Sequence, residues 1–480
     1  MRQANTSQTG EKIVVLGGGI TGLTVAWELS KHSELPVLLI EKNCSTGGLA
    51  GSFNQRDRIF DFGSHRIHEE YDPEVLGIIR ELLGDELLKR PRRGQIIIQG
   101  KFLNYPPAIT QVLTSFGLAQ GIRLVRDFLL SRDNFFFRPT QRTSFEEYAT
   151  WAVGKSLYEI FYRPYALKLW GVSPAGLSFE PALSRVRKFE LRAVWKELKN
   201  KATGTTTSHS FYYPARGFGQ IAEKIKERFI DNGGEILFES KVERLELKND
   251  SEIGAIHVKT GGESRRLPAR LLISTAPLDV LHRLVCSALG ETAELGLSWR
   301  SLRILYLFTP DKTPSVQETY YFPEADVIFG RVSEPAKYSP FLNQAEEKTA
   351  LVIEIPCTFG DEIWNLEDEV IADRCIDDLR KLKILCPRAA KDAEYFSRKI
   401  KNLYPIYELG WREKLDQVLR RFNSIKNLYP VGRSALFLHC NVDHCMSMAL
   451  GLARHLADEK KTHEDWERSL GDVFNLSLHE

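Results

Sequence analysis

Residues 13–41, IVVLGGGITGLTVAWELSKHSELPVLLIE, contain in one continuous stretch the parts of a nucleotide-binding βαβ unit. Gly17 permits a tight turn after the first apolar run, Gly19 lets backbone approach a pyrophosphate, and Gly22 lets the following helix pack close to the strand. The helix N-terminus offers free N–H groups to phosphates, and Glu41, after the second apolar run, can accept hydrogen bonds from ribose hydroxyls. The stretch predicts a dinucleotide site; the alternative is a glycine-rich turn in another βαβ unit.

A second glycine pair, Gly47-Gly48, follows soon after the acidic residue. FAD enzymes of the amine oxidase and protoporphyrinogen oxidase type carry such a pair, whereas NAD dehydrogenases usually lack it. The similarity implies that this backbone runs against the flavin's pyrophosphate and ring. We therefore expect FAD as the cofactor, with Lys42, Leu49 and Val242 as further contacts. An ordinary glycine loop is the alternative.

The composition excludes several classes of protein. The chain has 480 residues with 65 basic and 63 acidic side chains, and this balance argues against a nucleic-acid partner. Seven scattered cysteines without ligand-pair spacing predict no metal site, no disulfide framework and a reducing, cytoplasmic compartment. The polar N-terminus and the absence of a long apolar run predict neither a signal peptide nor a spanning helix.

Two segments leave a choice open. The basic run at residues 89–93, KRPRR, is expected to form a solvated face, with an anionic ligand or a membrane surface as the alternative. Residues 109–137 are amphipathic and end in Phe135-Phe136-Phe137. We expect them to pack between domains; peripheral docking on a membrane is the alternative and is not expected.

The order of apolar runs predicts an α/β protein with a discontinuous Rossmann-like domain, because buried-strand patterns return at residues 271–277 and 428–433. Residues 95–105 read as a hairpin and Ser144 as a helix start. The expected FAD-binding domain comprises residues 11–70, 210–288 and 426–460. A helical substrate lobe at 71–205 and a sheet-containing substrate lobe at 289–425 are inserted into it.

Taken together, the motifs resemble those of the UDP-galactopyranose mutases and their protoporphyrinogen-oxidase-like relatives, nearly from end to end. Besides the glycine turn, the likeness rests on Asp61–His68, Tyr158–Gly171 with Ser184–Val186, Phe329–Glu334, Asn402–Pro405, Val431–Arg433 and Asn441–Asp443. In the mutases, reduced flavin N5 attacks the anomeric carbon of the sugar and expels UDP, and the sugar recloses with a different ring size without net redox change. The resemblance thus implies a small-molecule substrate that bears a diphosphate.

The resemblance also implies roles for individual residues. Two arginines hold the diphosphate in the mutases, and Arg185 and Arg331 match them in position; a planar guanidinium can pair bidentately with phosphate oxygens. The remaining expectations are an aromatic wall at Trp170, a diphosphate contact at Tyr404, flavin or diphosphate contacts at Gly432 and Arg433, His65 close to the isoalloxazine, and Asp443 either facing the flavin or capping the last helix.

Two departures leave the reaction itself open. His439 and Asn441 stand where the mutases carry a tyrosine and an aspartate. The sequence therefore supports a flavoenzyme acting on a nucleotide sugar or another glycosyl diphosphate, and it leaves an FAD oxidase or dehydrogenase of protoporphyrinogen oxidase or amine oxidase type as the alternative. A non-enzymatic flavin scaffold has no specific support.

Overall fold

The computed structural model of the protein describes residues 10–105, 111, 115–131, 140, 143–180, 210–292, 294–310, 316–342, 349–386 and 393–473. Arg185, Phe135–Phe137 and the polar segment 201–209 lie outside these ranges. The predicted α/β class is confirmed. Within the described part of the chain, no helix combines the length and apolar character needed to cross a membrane.

The strands are β1 (Lys12–Leu16), β2 (Val37–Ile40), β3 (Ser52–Gln55), β4 (Arg58–Asp61), β5 (Ile67–His68), β6 (Leu87–Pro91), β7 (Gly94–Ile98), β8 (Lys101–Tyr105), β9 (Ser210–Pro214), β10 (Glu235–Leu237), β11 (Ser240–Asn249), β12 (Glu252–Thr260), β13 (Glu263–Ser274), β14 (Ser298–Thr309), β15 (Thr319–Tyr321), β16 (Arg331–Ser333), β17 (Thr349–Cys357), β18 (Glu394–Ile406) and β19 (Leu428–Pro430).

The helices are α1 (Ile20–Ser30), α2 (Pro73–Leu83), α3 (Leu118–Ser131), α4 (Phe145–Val153), α5 (Lys155–Leu157), α6 (Arg163–Trp170), α7 (Gln220–Asp231), α8 (Leu278–Leu289), α9 (Pro335–Tyr338), α10 (Glu362–Asn365), α11 (Asp368–Lys381), α12 (Trp411–Asn423), α13 (Val442–Ala457) and α14 (His463–Val473). A π-helical turn, Tyr158–Tyr162, joins α5 to α6, and short 3-10 turns lie at Gly48–Ala50, Gly84–Glu86 and Pro340–Leu342.

The first large sheet carries the predicted nucleotide-binding unit. Its strand order is β10-β2-β1-β13-β12-β11, and β19 also pairs with β13. The long strand β13 joins two kinds of pairing: its first half is antiparallel to β12, and its second half is parallel to β1 and β19. Strands β1 and β2 are buried along almost their whole length, because α1, α7 and α13 pack together over this region. Residues from 12–40, 235–274 and 428–430 thus meet in one sheet.

The second large sheet has the order β18-β14-β17-β16-β15-β7-β8, antiparallel except for the parallel pair β15 and β7. Two smaller sheets, β3-β4 and β5-β9-β6, lie outside the two large ones. The β7–β8 hairpin is confirmed, with Gln99 and Gly100 both at positive φ in its two-residue turn, as a type I′ turn requires. The predicted helix start is also confirmed, since Ser144 and Glu147 form a capping box at α4.

The structure adds a strand to the start of the segment 71–205, which was expected to form a helical lobe with one hairpin. Strand β6 was not predicted, and the β7–β8 hairpin is not an isolated interruption, because β7 pairs with β15 from the second sheet. The basic run at residues 89–93 gave no sign of a strand in the sequence, and β6 is extended where it pairs with β9. The division of the chain into three domains stays a prediction.

Candidate active site

The glycine turn is enforced by steric contacts. Gly17 has φ +104°, and a Cβ there would lie 2.4 Å from Thr275 Oγ1. A Cβ on Gly22 would lie 1.9 Å from the carbonyl oxygen of Gly17, so only glycine lets α1 approach the strand this closely. The second glycine pair lies against the first, since a Cβ on Gly48 would be 3.2 Å from the Cα of Gly19. The two glycine motifs therefore form one surface free of side chains at the N-terminus of α1.

The carboxylate of Glu41 is held in place beside this surface. It accepts hydrogen bonds from the backbone N–H of Gly18 at 2.7 Å and from the backbone and side-chain N–H groups of Asn43 at 2.9 and 2.8 Å. Oε1 accepts both bonds from Asn43, whereas Oε2 accepts only the bond from Gly18 and can still accept one from a ribose hydroxyl. The chain's own donors thus fix the orientation of the acid before any ligand binds.

A cavity of about 1260 Å³ runs from the glycine surface toward the second large sheet. Most of the site residues that were predicted from the sequence line this cavity: Gly17, Gly19, Glu41, Lys42, Gly47, Gly48, Leu49, His65, Val242, Arg331, Tyr404, Gly432 and Arg433. Gly22, Trp170 and Asp443 are not among the lining residues, and Arg185 lies outside the described residues. Thirteen of the predicted site residues thus line one cavity, although they are far apart in the chain.

Arg331 reaches the cavity but is paired with a carboxylate. Its Nε donates to Glu354 Oε1 at 2.8 Å and its Nη2 donates to Glu354 Oε2 at 2.6 Å, across the β16–β17 pair. Glu354 Oε1 also accepts the backbone N–H of Ser64 at 3.0 Å, and a Cβ on Gly63 would lie 3.2 Å from it. A diphosphate that binds Arg331 must therefore share the guanidinium with Glu354.

His65 lies in the cavity wall as a neutral ring. It stacks on Phe218 with ring centroids 4.8 Å apart. Burial, and then the charges of Arg331 and Arg433, lower the pKa of His65 to about 3. The imidazole therefore carries no charge in the physiological range, and it can offer one donor and one acceptor but no positive charge.

Arg433 and Tyr404 form a second wall. The Arg433 guanidinium lies over the Tyr404 ring, 5.3 Å from its centroid, and it donates to the carbonyls of Cys440 at 2.7 Å and Leu403 at 3.2 Å. Trp170 is 1% exposed and packs edge-on against Tyr404, with centroids 6.3 Å apart, and against His439 at 5.8 Å. Trp170 thus supports the aromatic wall from behind rather than forming its surface.

The predicted alternative of Asp443 as the helix cap was wrong. Asn441 occupies the N-cap position of α13, and Asp443 lies in the first turn, 2% exposed, with its Oδ1 3.3 Å from His444 Nδ1. A carboxylate in the first turn of a helix is stabilised by the helix dipole.

Several residues that line the cavity were not predicted from the sequence. Lys168 donates from its Nζ to the carbonyls of Phe322 at 2.9 Å and Phe329 at 3.1 Å, and burial lowers the pKa of its ammonium to about 8. Tyr321, next to Phe322, packs on Tyr105 with centroids 4.5 Å apart. These residues and Arg92 form one surface of the cavity. It is called the tyrosine arm and comprises Arg92, Tyr105, Lys168 and Tyr321.

The expectation that the basic run at residues 89–93 forms a solvated face is wrong for Arg92. Its guanidinium lies over the ring of Tyr105, 5.0 Å from the centroid, and it lines the cavity. Gly94 makes the space for the arm's rings, because a Cβ there would lie 3.2 Å from Tyr105 Cβ and 3.7 Å from Tyr321 Cε2. Lys89 and Arg93, at the two ends of the run, are exposed as predicted, and Lys89 forms an exposed ion pair with Glu69 at 2.6 Å.

One sequence signal could have located Glu354. It is the single charged residue in the otherwise apolar and fully paired strand β17, where a buried carboxylate needs a partner. Lys168 gave a weaker signal, since a lone lysine in a helix that is rich in aromatic residues is usually a surface residue.

The fold and the cavity together define a dinucleotide-dependent enzyme whose cofactor cradle opens into a cationic and aromatic space. Comparison with known proteins gives the family. The model of the flavin-containing amine oxidoreductases matches residues 20–435, so the chain belongs to this family. It is accordingly a flavoprotein enzyme of the FAD-dependent oxidoreductase superfamily, with FAD as its cofactor.

Individual relatives are more distant. A protein of Klebsiella pneumoniae assigned as a UDP-galactopyranose mutase is 24% identical over 173 residues, which cover 35% of this chain and 43% of that protein. A crystal structure of reduced UDP-galactopyranose mutase superposes with a TM-score of 0.79 at 21% identity, over 98% of this chain and 100% of the other. A structure from Exiguobacterium sp. 255-15 assigned as a protoporphyrinogen oxidase gives 0.69 at 16% identity, over 94% and 99%. At these identities the structural likeness establishes the fold alone.

The residues present fit FAD. A dinucleotide pyrophosphate needs a turn without side chains at a helix N-terminus, which the paired glycine motifs and α1 provide. Glu41 is oriented for the ribose by chain donors. Next to Gly432, which lies against Thr21 of α1, the buried Nε of Arg433 has no hydrogen-bond partner among the described residues and can donate to a ligand in the cavity.

Proposed function

We propose that this flavoenzyme acts on a nucleotide sugar or another glycosyl diphosphate, with chemistry like that of the UDP-galactopyranose mutases. By extension, the enzyme would be cytoplasmic and belong to polysaccharide or glycoconjugate biosynthesis. Arg331 and Arg185 are the proposed diphosphate ligands, and Tyr404, with Trp170 behind it, is the proposed wall beside the sugar.

The observation that carries the proposal is the charge of the cavity beyond the glycine surface. Arg331, Arg433, Lys168 and Arg92 all line it, whereas Glu354 is the carboxylate that faces them from β17. Even with one positive charge balanced by Glu354, the wall keeps an excess of cations. An anionic substrate gains from this field, and a protonated amine, the substrate that the family name suggests, is repelled by it.

The chain's own residues have defined tasks in this proposal. When bound and reduced, FAD supplies a nucleophilic nitrogen for the anomeric carbon of the sugar. The cationic wall holds the diphosphate and stabilises the negative charge that develops on it as the glycosyl bond breaks. His65, neutral and stacked on Phe218, positions the substrate or cofactor by a hydrogen bond and adds no competing charge.

The alternative function is an FAD-dependent oxidoreductase of protoporphyrinogen oxidase or amine oxidase type. Membership of the amine oxidoreductase family and the likeness to the Exiguobacterium structure favour it. The substitution of His439 and Asn441 for the mutases' tyrosine and aspartate also favours a reaction other than the galactose ring contraction.

The two functions predict opposite redox dependence. A mutase-like enzyme acts on a nucleotide sugar only after dithionite reduction, consumes no oxygen and loses activity on reoxidation. An oxidase reacts in the oxidised state, and its substrate bleaches the flavin once in an anaerobic stopped-flow experiment. Bleaching of the oxidised flavin by the turned-over substrate would refute the mutase-like mechanism and leave the fold and the FAD site intact.

A ligand titration tests the substrate class separately from the reaction. UDP should perturb the spectrum of the bound flavin in wild-type enzyme, and Arg185→Ala and Arg331→Ala should each weaken this binding by a few kcal/mol. His65→Ala should lower turnover more than it lowers FAD content. Unchanged UDP affinity in both arginine variants would remove the diphosphate from the proposal.

A further inference from the structure

Two thiols meet at the N-terminus of α13. Asn441 is the N-cap of this helix, so Cys440 precedes the cap and Cys445 is the fourth helical residue. These are the two positions whose side chains touch at many helix starts, where they are usually both apolar. Here the pair consists of two cysteines, with their Sγ atoms 3.8 Å apart.

Both thiols border the flavin cavity. Cys440 is 3% exposed and Cys445 is 5% exposed, and both belong to the cavity lining. A small solute in the cavity can therefore reach them, although the protein surface covers them. The two sulfur atoms are at van der Waals distance, and a disulfide requires them to approach to about 2 Å.

The surroundings make one thiol acidic and keep the other protonated. The hydrogen bond from the Cys440 thiol, a hydrogen bond with Thr21 and the charge of Arg433 together outweigh burial and lower the pKa of Cys445 below its usual range. The pKa of Cys440 is raised above its usual range by the same hydrogen bond and by burial. The thiolate also lies in the first turns of α13, where the helix dipole favours negative charge.

Two other buried cysteines have a raised pKa, unlike Cys445. Burial raises the pKa of Cys286 and raises that of Cys357 to about 11, so both stay as unreactive thiols at neutral pH. They serve as internal controls for any oxidation experiment.

We propose that Cys440 and Cys445 form a reversible disulfide inside the flavin cavity when the protein meets a peroxide. The Cys445 thiolate attacks one peroxide oxygen, the O–O bond breaks, and a sulfenic acid and hydroxide result. The Cys440 sulfur then attacks the sulfenic sulfur, and its proton and the hydroxyl group leave as water. In sum, two thiols and one hydrogen peroxide give one disulfide and two waters. This inference is independent of the sugar chemistry proposed above.

Formation of the disulfide should change the contacts of the glycine turn. The hydrogen bond between Cys445 and Thr21 connects the pair to the first turn of α1, and Thr21 also lies where a Cβ on Gly432 would meet it at 2.7 Å. A sulfur that bonds to Cys440 gives up that hydrogen bond. We therefore expect the oxidised protein to release FAD several-fold faster than the reduced protein.

The test uses FAD-loaded protein and hydrogen peroxide. After treatment, free thiols are alkylated and the protein is digested with trypsin. Cleavage after Arg433 and Arg454 places both cysteines in one peptide, so the disulfide makes that peptide lighter by two hydrogen atoms and blocks two alkylation sites. Dithiothreitol should restore both sites and the slower release of FAD.

Variants separate the pair from general oxidation. Cys440→Ser should leave Cys445 to accumulate oxygen instead of forming the lighter peptide, and Cys286→Ser, the control, should behave as wild type. The inference is overturned if wild-type Cys440 and Cys445 both remain alkylatable under conditions that oxidise the exposed Cys44. It is also overturned if the lighter peptide forms but the release of FAD does not change. The wild-type measurement stands even where a variant folds poorly.

Discussion

Replacing Lys168 with methionine tests the cationic wall most directly, because this side chain has a defined geometry and a titration of its own. Two of its three ammonium N–H groups are donated to the carbonyls of Phe322 and Phe329, which leaves one donor for the cavity that the residue lines. Methionine has a similar length, so Lys168→Met removes the charge and the donors while largely keeping the volume.

The size of the effect follows from the contact that is lost. A hydrogen bond to a charged group contributes about 1.5–3 kcal/mol, which corresponds to roughly 10- to 100-fold weaker binding of a diphosphate. The carbonyls of Phe322 and Phe329 also lose their donor, but water in the cavity can replace it. The free energy of unfolding should therefore fall by only about 1 kcal/mol.

The pH dependence gives a second readout. Burial lowers the pKa of Lys168 to about 8, and the carboxylates of Asp326 and Glu324 offset this in part. The side chain is charged below this pH and neutral above it, and a bound anion favours the charged form. Wild-type affinity for UDP should therefore fall as pH rises above about 8, whereas the Lys168→Met variant should bind equally weakly at pH 7 and pH 9. His65, with a pKa near 3, does not titrate in this window.

The assay is calorimetric titration of UDP into FAD-loaded enzyme between pH 7 and pH 9. Phosphate groups have their second pKa near 6, so the ligand's own charge changes little in this range. Lys248→Met, on β11, is the matched control, because its side chain is 65% exposed and does not belong to the cavity lining. If Lys168→Met binds UDP with wild-type affinity and the same pH profile, the ammonium does not face the ligand and the reasoning fails.

The other predictions concern the cradle and the ion pair. Glu41→Ala should weaken FAD binding by about 1–3 kcal/mol in a fluorescence titration, and unchanged affinity would mean that the ribose binds elsewhere. Gly22→Ala forces a Cβ against the carbonyl of Gly17, so FAD content and melting temperature should both fall; an unaltered melting curve would contradict the packing described. Glu354→Gln should tighten UDP binding by freeing Arg331 while it lowers the free energy of unfolding by about 1–3 kcal/mol, and weaker UDP binding would show that the pair acts as a unit.

Local sequence was sufficient wherever a feature is built from neighbouring residues. The glycine turn, α1 and Glu41 lie within thirty residues of each other, and the contacts of Gly22 with Gly17 and of Glu41 with Gly18 join residues of this one stretch. The β7–β8 hairpin and the capping box at Ser144 were predictable for the same reason. FAD followed from the short-range glycine motifs, whereas the α/β class and the enzyme family followed from motifs and apolar runs spread along the whole chain.

Tertiary structure alone decided how the charges of the cavity are arranged. Arg331 and Glu354 pair because β16 and β17 are neighbours with a particular register, and no spacing in the sequence encodes that register. Arg92 reaches the cavity because β7 joins β15 from a distant part of the chain, which turns a seemingly solvated basic run into part of a binding wall. Trp170 lies behind Tyr404, which belongs to the distant strand β18. The sequence by itself therefore determined the glycine turn and its acidic partner Glu41, because their mutual contacts are local. The folding of the second sheet determined which charges a substrate meets, because those contacts join strands that are remote in the chain.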